Sequence, residues 1–317
     1  MNKVCILGSI NMDMVVSIDK MPLIGETIFS ENFKLAHGGK GANQAVASRR
    51  LGAEVYMISK IGQDSYGLQI VNALEKEGIN VDNIFKDDVK PTGTAIITVD
   101  NKGNNSIIVV AGANMTLNLK EIDKCKEVIA SSDIIVAQFE TPIEVTMEVF
   151  KFAKENGVIT ILNPAPAKEI PKELFAHTDI IVPNETEATT LTGVNVQDLE
   201  SAKQAANIFL DNKVKYVIIT LGNMGAAVIS KQEAVLIPAY KVNAIDSTAA
   251  GDSFIGAITT KLTKSNLNTK TLVEAVKFAN KVSAIVVQRE GAQASIPFLN
   301  EINESYKEQW TWKKLEF

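Results

Sequence analysis

Apolar runs of strand length recur along the chain, separated by stretches whose apolar residues return at helical intervals. Val4 to Gly8, Val55 to Ser59, Ile134 to Phe139, Val158 to Leu162, Ile180 to Pro183 and Tyr216 to Thr220 read as strands. Between them, Leu68, Val71 and Leu74, then Val145, Val149 and Phe150, fall on single helix faces. Continuous apolar strands joined by helical crossovers predict a mainly parallel sheet with helices on both faces, a three-layer α/β architecture.

A second pattern interrupts the first. Met14 to Ile18 and Thr27 to Phe33 are strand-like around a Pro-Gly turn region, while Thr94 to Val99 and Ser106 to Val110 flank the hairpin signal Asp100-Asn101-Lys102-Gly103-Asn104. These segments predict a small β-sheet inserted at about 12–35 and 92–111, projecting from a single domain over 1–317. No linker, low-complexity segment or internal repeat divides the chain.

A formal net charge of −5 leaves no basic surplus for a nucleic-acid partner. Cys5 and Cys125 lie in an expected strand and helix without paired spacing, as reduced thiols would. The start MNKVCILGSINMD turns polar too soon for a signal peptide or a membrane span, so a cytoplasmic protein without membrane contact is expected. His37 and His177 have no acid or cysteine partner in local sequence, which argues against a hydrolase triad or a histidine metal site.

Candidate chemistry concentrates in two segments. In Asp246-Ser247-Thr248-Ala249-Ala250-Gly251-Asp252-Ser253-Phe254, small residues precede an acidic one at an expected helix start. The backbone N–H groups of Ala249, Ala250 and Gly251 can approach an anion there, helped by the helix dipole. A carboxylate beside a bound anion repels it, so Asp252 is better suited to take a proton from a nucleophile attacking that anion. Taken alone, the segment reads equally well as an ordinary helix first turn. His37-Gly38-Gly39-Lys40-Gly41-Ala42-Asn43-Gln44 sets glycines around a lysine before a helix and can close on a polyhydroxyl or phosphate-bearing ligand. It lacks the GxxxxGK[ST] spacing of a P-loop.

Together these segments resemble the ribokinase-like carbohydrate kinase family, through GGKGANQAVASRRLGA at 38–53 and DSTAAGDSFIGA at 246–257. Further matches are Gly8-Ser9-Ile10-Asn11-Met12-Asp13, Asn163-Pro164-Ala165-Pro166, Asn184-Glu185-Thr186-Glu187, Thr220-Leu221-Gly222 and Gly291-Ala292-Gln293-Ala294-Ser295, spanning nearly the whole chain. The resemblance implies ATP-dependent phosphorylation of D-ribose at O5, with Asp252 as general base and the backbone of Ala249, Ala250 and Gly251 as anion hole. It assigns the sugar to Asn11, Asp13, Gly39, Lys40, Asn43, Glu140 and Asp252, and ATP to Asn184, Thr220, Gly222, Gly251 and Asn280, with Ser283 a weaker candidate. It implies Mg²⁺ held through water at Glu187 and K⁺ held by Asp246, Thr248, Val286, Arg289, Gly291 and Ser295, with Arg289 contributing its carbonyl. The small sheet becomes a lid over the sugar, and two lids pack into a homodimer.

The residues also admit plainer readings. Asn11 and Asp13 suit turn chemistry, Glu140 a solvated strand end, Asn184 with Glu187 a helix cap, and Asn280 a packed helix polar. His37, Ile255 and Ala294 depart from the commonest family pattern and leave sugar selectivity open. A kinase for 2-deoxyribose, another polyol or a nucleoside is the nearest alternative, and a catalytically silent sugar sensor a more distant one. A nicotinamide dehydrogenase fails, because Gly8-Ser9-Ile10-Asn11 does not supply GxGxxG.

Overall fold

The computed structural model describes residues 1–30, 32–101 and 105–302 with their side chains, and the backbone of 303–305 and 313–316. Its strands are β1 (Lys3–Leu7), β2 (Asn11–Ile18), β3 (Asn32–Gly38), β4 (Glu54–Gly62), β5 (Asn80–Asp87), β6 (Gly93–Asp100) and β7 (Asn105–Val110), followed by β8 (Ile134–Ala137), β9 (Ile159–Leu162), β10 (Ile180–Ile181), β11 (Tyr216–Thr220), β12 (Ala226–Ile229), β13 (Glu233–Ile237) and β14 (Lys313–Glu316).

Ten strands form one sheet in the order β14-β13-β12-β11-β10-β9-β8-β1-β4-β5. Every pairing from β5 across to β11 is parallel, and β12, β13 and β14 add antiparallel hairpin partners at one side. Alternating residues of the central strands enter two separate cores. Val4 and Ile6 of β1 join the core shared with the helices Lys40–Arg50, Ala250–Thr259 and Thr269–Val286. Cys5 and Leu7 join the core under Ile143–Glu155 and Leu199–Asp211. Burial on both faces is why these strands carry no polar alternation.

The remaining strands form a separate sheet in the order β3-β2-β6-β7. β2 runs parallel to β6, and β3 and β7 are antiparallel edges. The expected strand Thr27 to Phe33 is displaced: β3 runs from Asn32 to Gly38, with Asn11 opposite Gly38 and Ser17 opposite Asn32. Register is taken up at the Gly38 end, where β3 leads directly into the helix at Lys40, so Ile28 and Phe29 stand outside the ladder. Positions 102–104 of the expected hairpin turn lie outside the described residues. The expected strand Ile134 to Phe139 ends at Ala137, which leaves Glu140 in the following turn.

No helix among the described residues is long and apolar enough to cross a membrane.

Candidate active site

The C-terminal ends of the central strands and the base of the small sheet meet above the helices Lys40–Arg50 and Ala250–Thr259, which pack against each other. Gly39 caps the first of these helices with φ +90°, a conformation open to glycine, and its ideal Cβ would lie 2.7 Å from Asn11 N and 2.8 Å from Ser9 O. Its neighbour Gly38 leaves the space that the Asp13 carboxylate occupies. Only bare backbone at these two positions lets β3 close over β2 and start the helix at Lys40.

Asn11 and Asp13 lie two residues apart on β2 and share a face of the small sheet. Asn11 is oriented by Asn114, whose Nδ2 donates to Asn11 Oδ1 (2.8 Å) and Ile10 O (3.1 Å) while its Oδ1 accepts from Ile10 N (2.9 Å). That leaves the Asn11 NH₂ as the end presented to a ligand. Glu140 accepts from Ser9 Oγ (2.5 Å) and from the Lys40 backbone N–H (3.5 Å). Asp252, in the first turn of Ala250–Thr259, has both oxygens held by the neighbouring helix. Asn43 Nδ2 donates to Oδ2 and Gln44 Nε2 to Oδ1, each at 3.0 Å.

Charge in this cluster is crowded. Burial, followed by the nearby carboxylates of Glu140 and Asp252, pushes Asp13 up to about 7. Burial presses the Lys40 ammonium toward neutrality, but Asp252, Glu140 and Glu187 outweigh it and hold Lys40 above its ordinary value. Burial also raises Glu187, against the opposing Asn184 N–H and Lys40. Four acids, Asp13, Glu140, Glu187 and Asp252, thus crowd around one lysine, which is favoured as a cation.

Adjoining Asp252, a cavity of about 650 Å³ is lined by Asn184, Thr220, Gly222, Gly251, Asn280 and Ser283 among others. Ala249 adopts a left-handed conformation at φ 59° immediately before the helix. Ala250 N–H is spent on Ser247 O (3.1 Å), so the first-turn donors without an i−4 carbonyl are those of Gly251 and Asp252. Asn184 and Glu187 form a full capping box, Asn184 Oδ1 accepting from Glu187 N (2.7 Å) and Glu187 Oε2 from Asn184 N (2.9 Å). Asn280 donates to Ile237 O and Pro238 O, both at 3.0 Å, which turns its Nδ2 toward β13.

Behind the cradle, Asp246 Oδ1 accepts from Thr248 N (2.9 Å) and Oγ1 (2.6 Å), and Oδ2 from Gly291 N (2.8 Å). Although burial opposes it, these hydrogen bonds hold Asp246 below the usual carboxylate range. Ser295 Oγ donates to Ala292 O (2.7 Å), and the Arg289 guanidinium is turned to Glu301 (2.6 Å). Val286 ends the helix Thr269–Val286, and the next carbonyl, of Val287, accepts from the N–H groups of Ile245 and Asp246. No group of three or more His, Cys, Asp or Glu side chains suited to a metal occurs among the described residues.

The structure gathers Asp13, Glu140, Glu187 and Asp252 around Lys40, sets Asn184, Thr220, Gly222, Gly251, Asn280 and Ser283 around the cavity, and joins Asp246 to Thr248 and Gly291, whereas the Val286 carbonyl is taken by the Arg289 N–H (3.0 Å). Ser9, Gln44, Asn114, Gln138 and Asn163 are fully or nearly fully buried beside them and escaped the sequence reading as site residues. A polar Gln138 at the end of the apolar run IIVA was the one local signal.

Residues 1–299 match the family model described as pfkB family carbohydrate kinase. A ribokinase from Staphylococcus aureus is 46% identical over 304 residues, covering 96% of this chain and 99% of the relative. A deoxyribokinase from Salmonella typhi is 35% identical over 302 residues, with 95% and 97% covered. Among solved structures, Arabidopsis thaliana ribokinase complexed with ribose and ATP superposes with a TM-score of 0.88 at 31% identity, covering 96% of this chain and 98% of that one. On the family match and these identities the chain belongs to the pfkB family of carbohydrate kinases.

Proposed function

We propose that this kinase transfers the γ-phosphoryl group of ATP to O5 of D-ribose, giving D-ribose 5-phosphate and ADP. The observation that carries the reading is the placement of Asp252. Its carboxylate is fixed by two amides, acts electrostatically on Asp13, and directly follows Gly251, which lines the cavity. In this reading Asn11, Asp13, Gly39, Lys40, Asn43 and Glu140 bind the sugar hydroxyls and orient O5 toward the cavity. Asp252 takes the O5 proton as the O5–phosphorus bond forms and the bond to the ADP oxygen breaks. Lys40 and the N–H groups around Ala249 and Gly251 stabilise charge on the transferred group. Asn184, Thr220, Gly222, Asn280 and Ser283 hold the nucleotide.

Glu187 suits Mg²⁺ held through water, because the capping box occupies Oε2 and leaves its other oxygen for a hydration shell. The ion would neutralise phosphate charge. Asp246, kept anionic, suits K⁺ with the carbonyls of Thr248, Val286, Arg289 and Gly291 and the Ser295 hydroxyl, and the turned-away Arg289 guanidinium removes the obvious repulsion. Faster turnover in potassium than in sodium or a bulky organic cation, at matched ionic strength, is expected, and equal rates would eliminate that site. The small sheet serves as lid and dimer surface, since Phe33, Leu35, Ile96, Ile107, Ile108 and Val109 are all exposed on it.

The deciding assay is ATP turnover across ribose, 2-deoxyribose, fructose, adenosine and inosine, with identification of the phosphorylated product. Ribose 5-phosphate as the dominant product is expected. A dominant 2-deoxyribose product, the outcome that the Salmonella relative's name keeps open, would reassign the sugar, and a nucleoside product would overturn the reading.

A further inference from the structure

Asp252 is gripped by more than its immediate neighbours. Gln44, with no exposed surface, donates from one nitrogen to Asp252 Oδ1 (3.0 Å) and to Asn163 Oδ1 (3.2 Å). Its carbonyl oxygen accepts from Gln138 Nε2 (2.6 Å), and Asn163 Nδ2 donates to Val182 O (3.1 Å). These groups come from the helix Lys40–Arg50 and from the residues that follow β8, β9 and β10, the last contributing only its backbone carbonyl.

The direction of every amide in this chain is forced. Val182 O is a backbone carbonyl and can only accept, so Asn163 must turn its NH₂ there and its oxygen toward Gln44. Gln44 then faces two acceptors, Asn163 Oδ1 and the Asp252 carboxylate, and must offer its NH₂ to both. Its oxygen is left for Gln138, whose own Oε1, next to Gly8, has no partner among the described residues. A flipped Gln44 would set oxygen against oxygen at Asp252. Asn43 is locked in the same sense, its Oδ1 accepting from Gln293 Nε2 (3.3 Å) while its Nδ2 serves Asp252.

We propose that Gln44, polarised by Gln138 and Asn163, is a positioning residue that aims the Asp252 carboxylate at the sugar hydroxyl and keeps it a proton acceptor. The proposal rests on the reading of Asp252 as base. A donor hydrogen bond to a carboxylate is stronger than one to the neutral acid, and it fixes which oxygen lone pair faces the substrate. Gln44 has no exposed surface through which to meet a ligand, so its effect belongs in kcat.

Gln44→Leu, Gln138→Leu, the double variant and Asp252→Asn test this in the full-length protein. Gln44→Leu should lower kcat about 10- to 100-fold with both KM values little changed, and should move the acid limb of the kcat profile to higher pH. Gln44→Leu also strands the Gln138 NH₂ and lowers thermal stability, a loss the double variant should largely recover because no donor is then left unpaired. The double variant's kcat should stay low. Recovery of kcat together with stability would show Gln44 to be a packing residue only and overturn the proposal, as would an unchanged kcat and pH profile in Gln44→Leu while Asp252→Asn is inactive. Full activity of Asp252→Asn would instead remove the underlying base assignment.

Discussion

β8 and β7 are nearly interchangeable as sequence, IIVA against SIIVV, yet they end in opposite environments. Ile134 of β8 is completely buried, whereas Ile108 of β7 is 64% exposed. β8 lies inside the large sheet with helices on both faces, while β7 is an edge strand of the small sheet whose residues are all exposed among the described residues. Apolar patterning thus reports that a strand needs cover and is silent on what supplies it. In the large sheet the cover is the chain's own helices, so the strand ends are rigid and can position catalytic groups. The small sheet leaves that face exposed among the described residues, and the proposed lid and dimer would supply its cover.

The largest expected effect tests the rigid side. Asp252→Asn keeps size and removes the proposed base, so kcat should fall roughly 100- to 10,000-fold while sugar binding, measured calorimetrically, largely survives. Near-native turnover would mean that the strand ends do not carry the chemistry. A smaller effect tests the boundary between the sheets. If Asp13 accepts from sugar hydroxyls as proposed, 2-deoxyribose would leave a desolvated oxygen unpaired at about 1–3 kcal/mol, or roughly 5- to 150-fold in kcat/KM. Direct competition between the two sugars measures it, and water entering the vacated space would shrink the margin.

How much of this was legible in the sequence follows the same division. Val4 to Gly8, Val55 to Ser59 and Tyr216 to Thr220 were readable because strands buried on both faces are apolar throughout. β5, NVDNIFKD, was not, since an edge strand covered on one side keeps polar residues that look like loop. The strands β12 and β13 were not legible either, because AAVI and EAVLI are short. The site divides likewise. The segments at 38–53 and 246–257 are contiguous and stand out, whereas Asn114 orients Asn11 from 103 positions away and Gln138 meets Gln44 across 94. Such contacts exist only once the sheet order is known.

The small sheet should respond to a change that the large sheet would not survive. Ile108→Glu places a charge on the exposed edge strand and should convert a dimer to monomers, read by light scattering, with thermal stability nearly unchanged. If the lid needs its partner to close, kcat/KM for the sugar falls about tenfold. A monomeric native protein would end the dimer proposal and leave the exposed face without an assigned cover.

The smallest effect concerns Asp13, where the two sheets meet: it stands on β2 of the small sheet yet feels Glu140 and Asp252 from the large-sheet side. In the unfolded chain its carboxyl ionises near the ordinary 3.8, but in the ligand-free fold only near about 7. Between these values the native state holds the extra proton. Stability contributed by the neutral carboxyl is therefore fully present below 3.8 and is lost as pH rises through about 7. Asp13→Asn cannot ionise, so its melting temperature relative to the native protein should climb from pH 4 to pH 8 and then level off, the free-energy difference reaching at most about 4 kcal/mol. The same variant should bind the sugar more weakly, because it exchanges an acceptor-only carboxylate for an amide. Stability gained where binding is lost would mean that the fold tolerates a strained acid at this junction for the sake of its ligand. A difference independent of pH would show that Asp13 is already ionised in the empty protein, with its charge balanced by Lys40, and would leave the two sheets electrostatically independent.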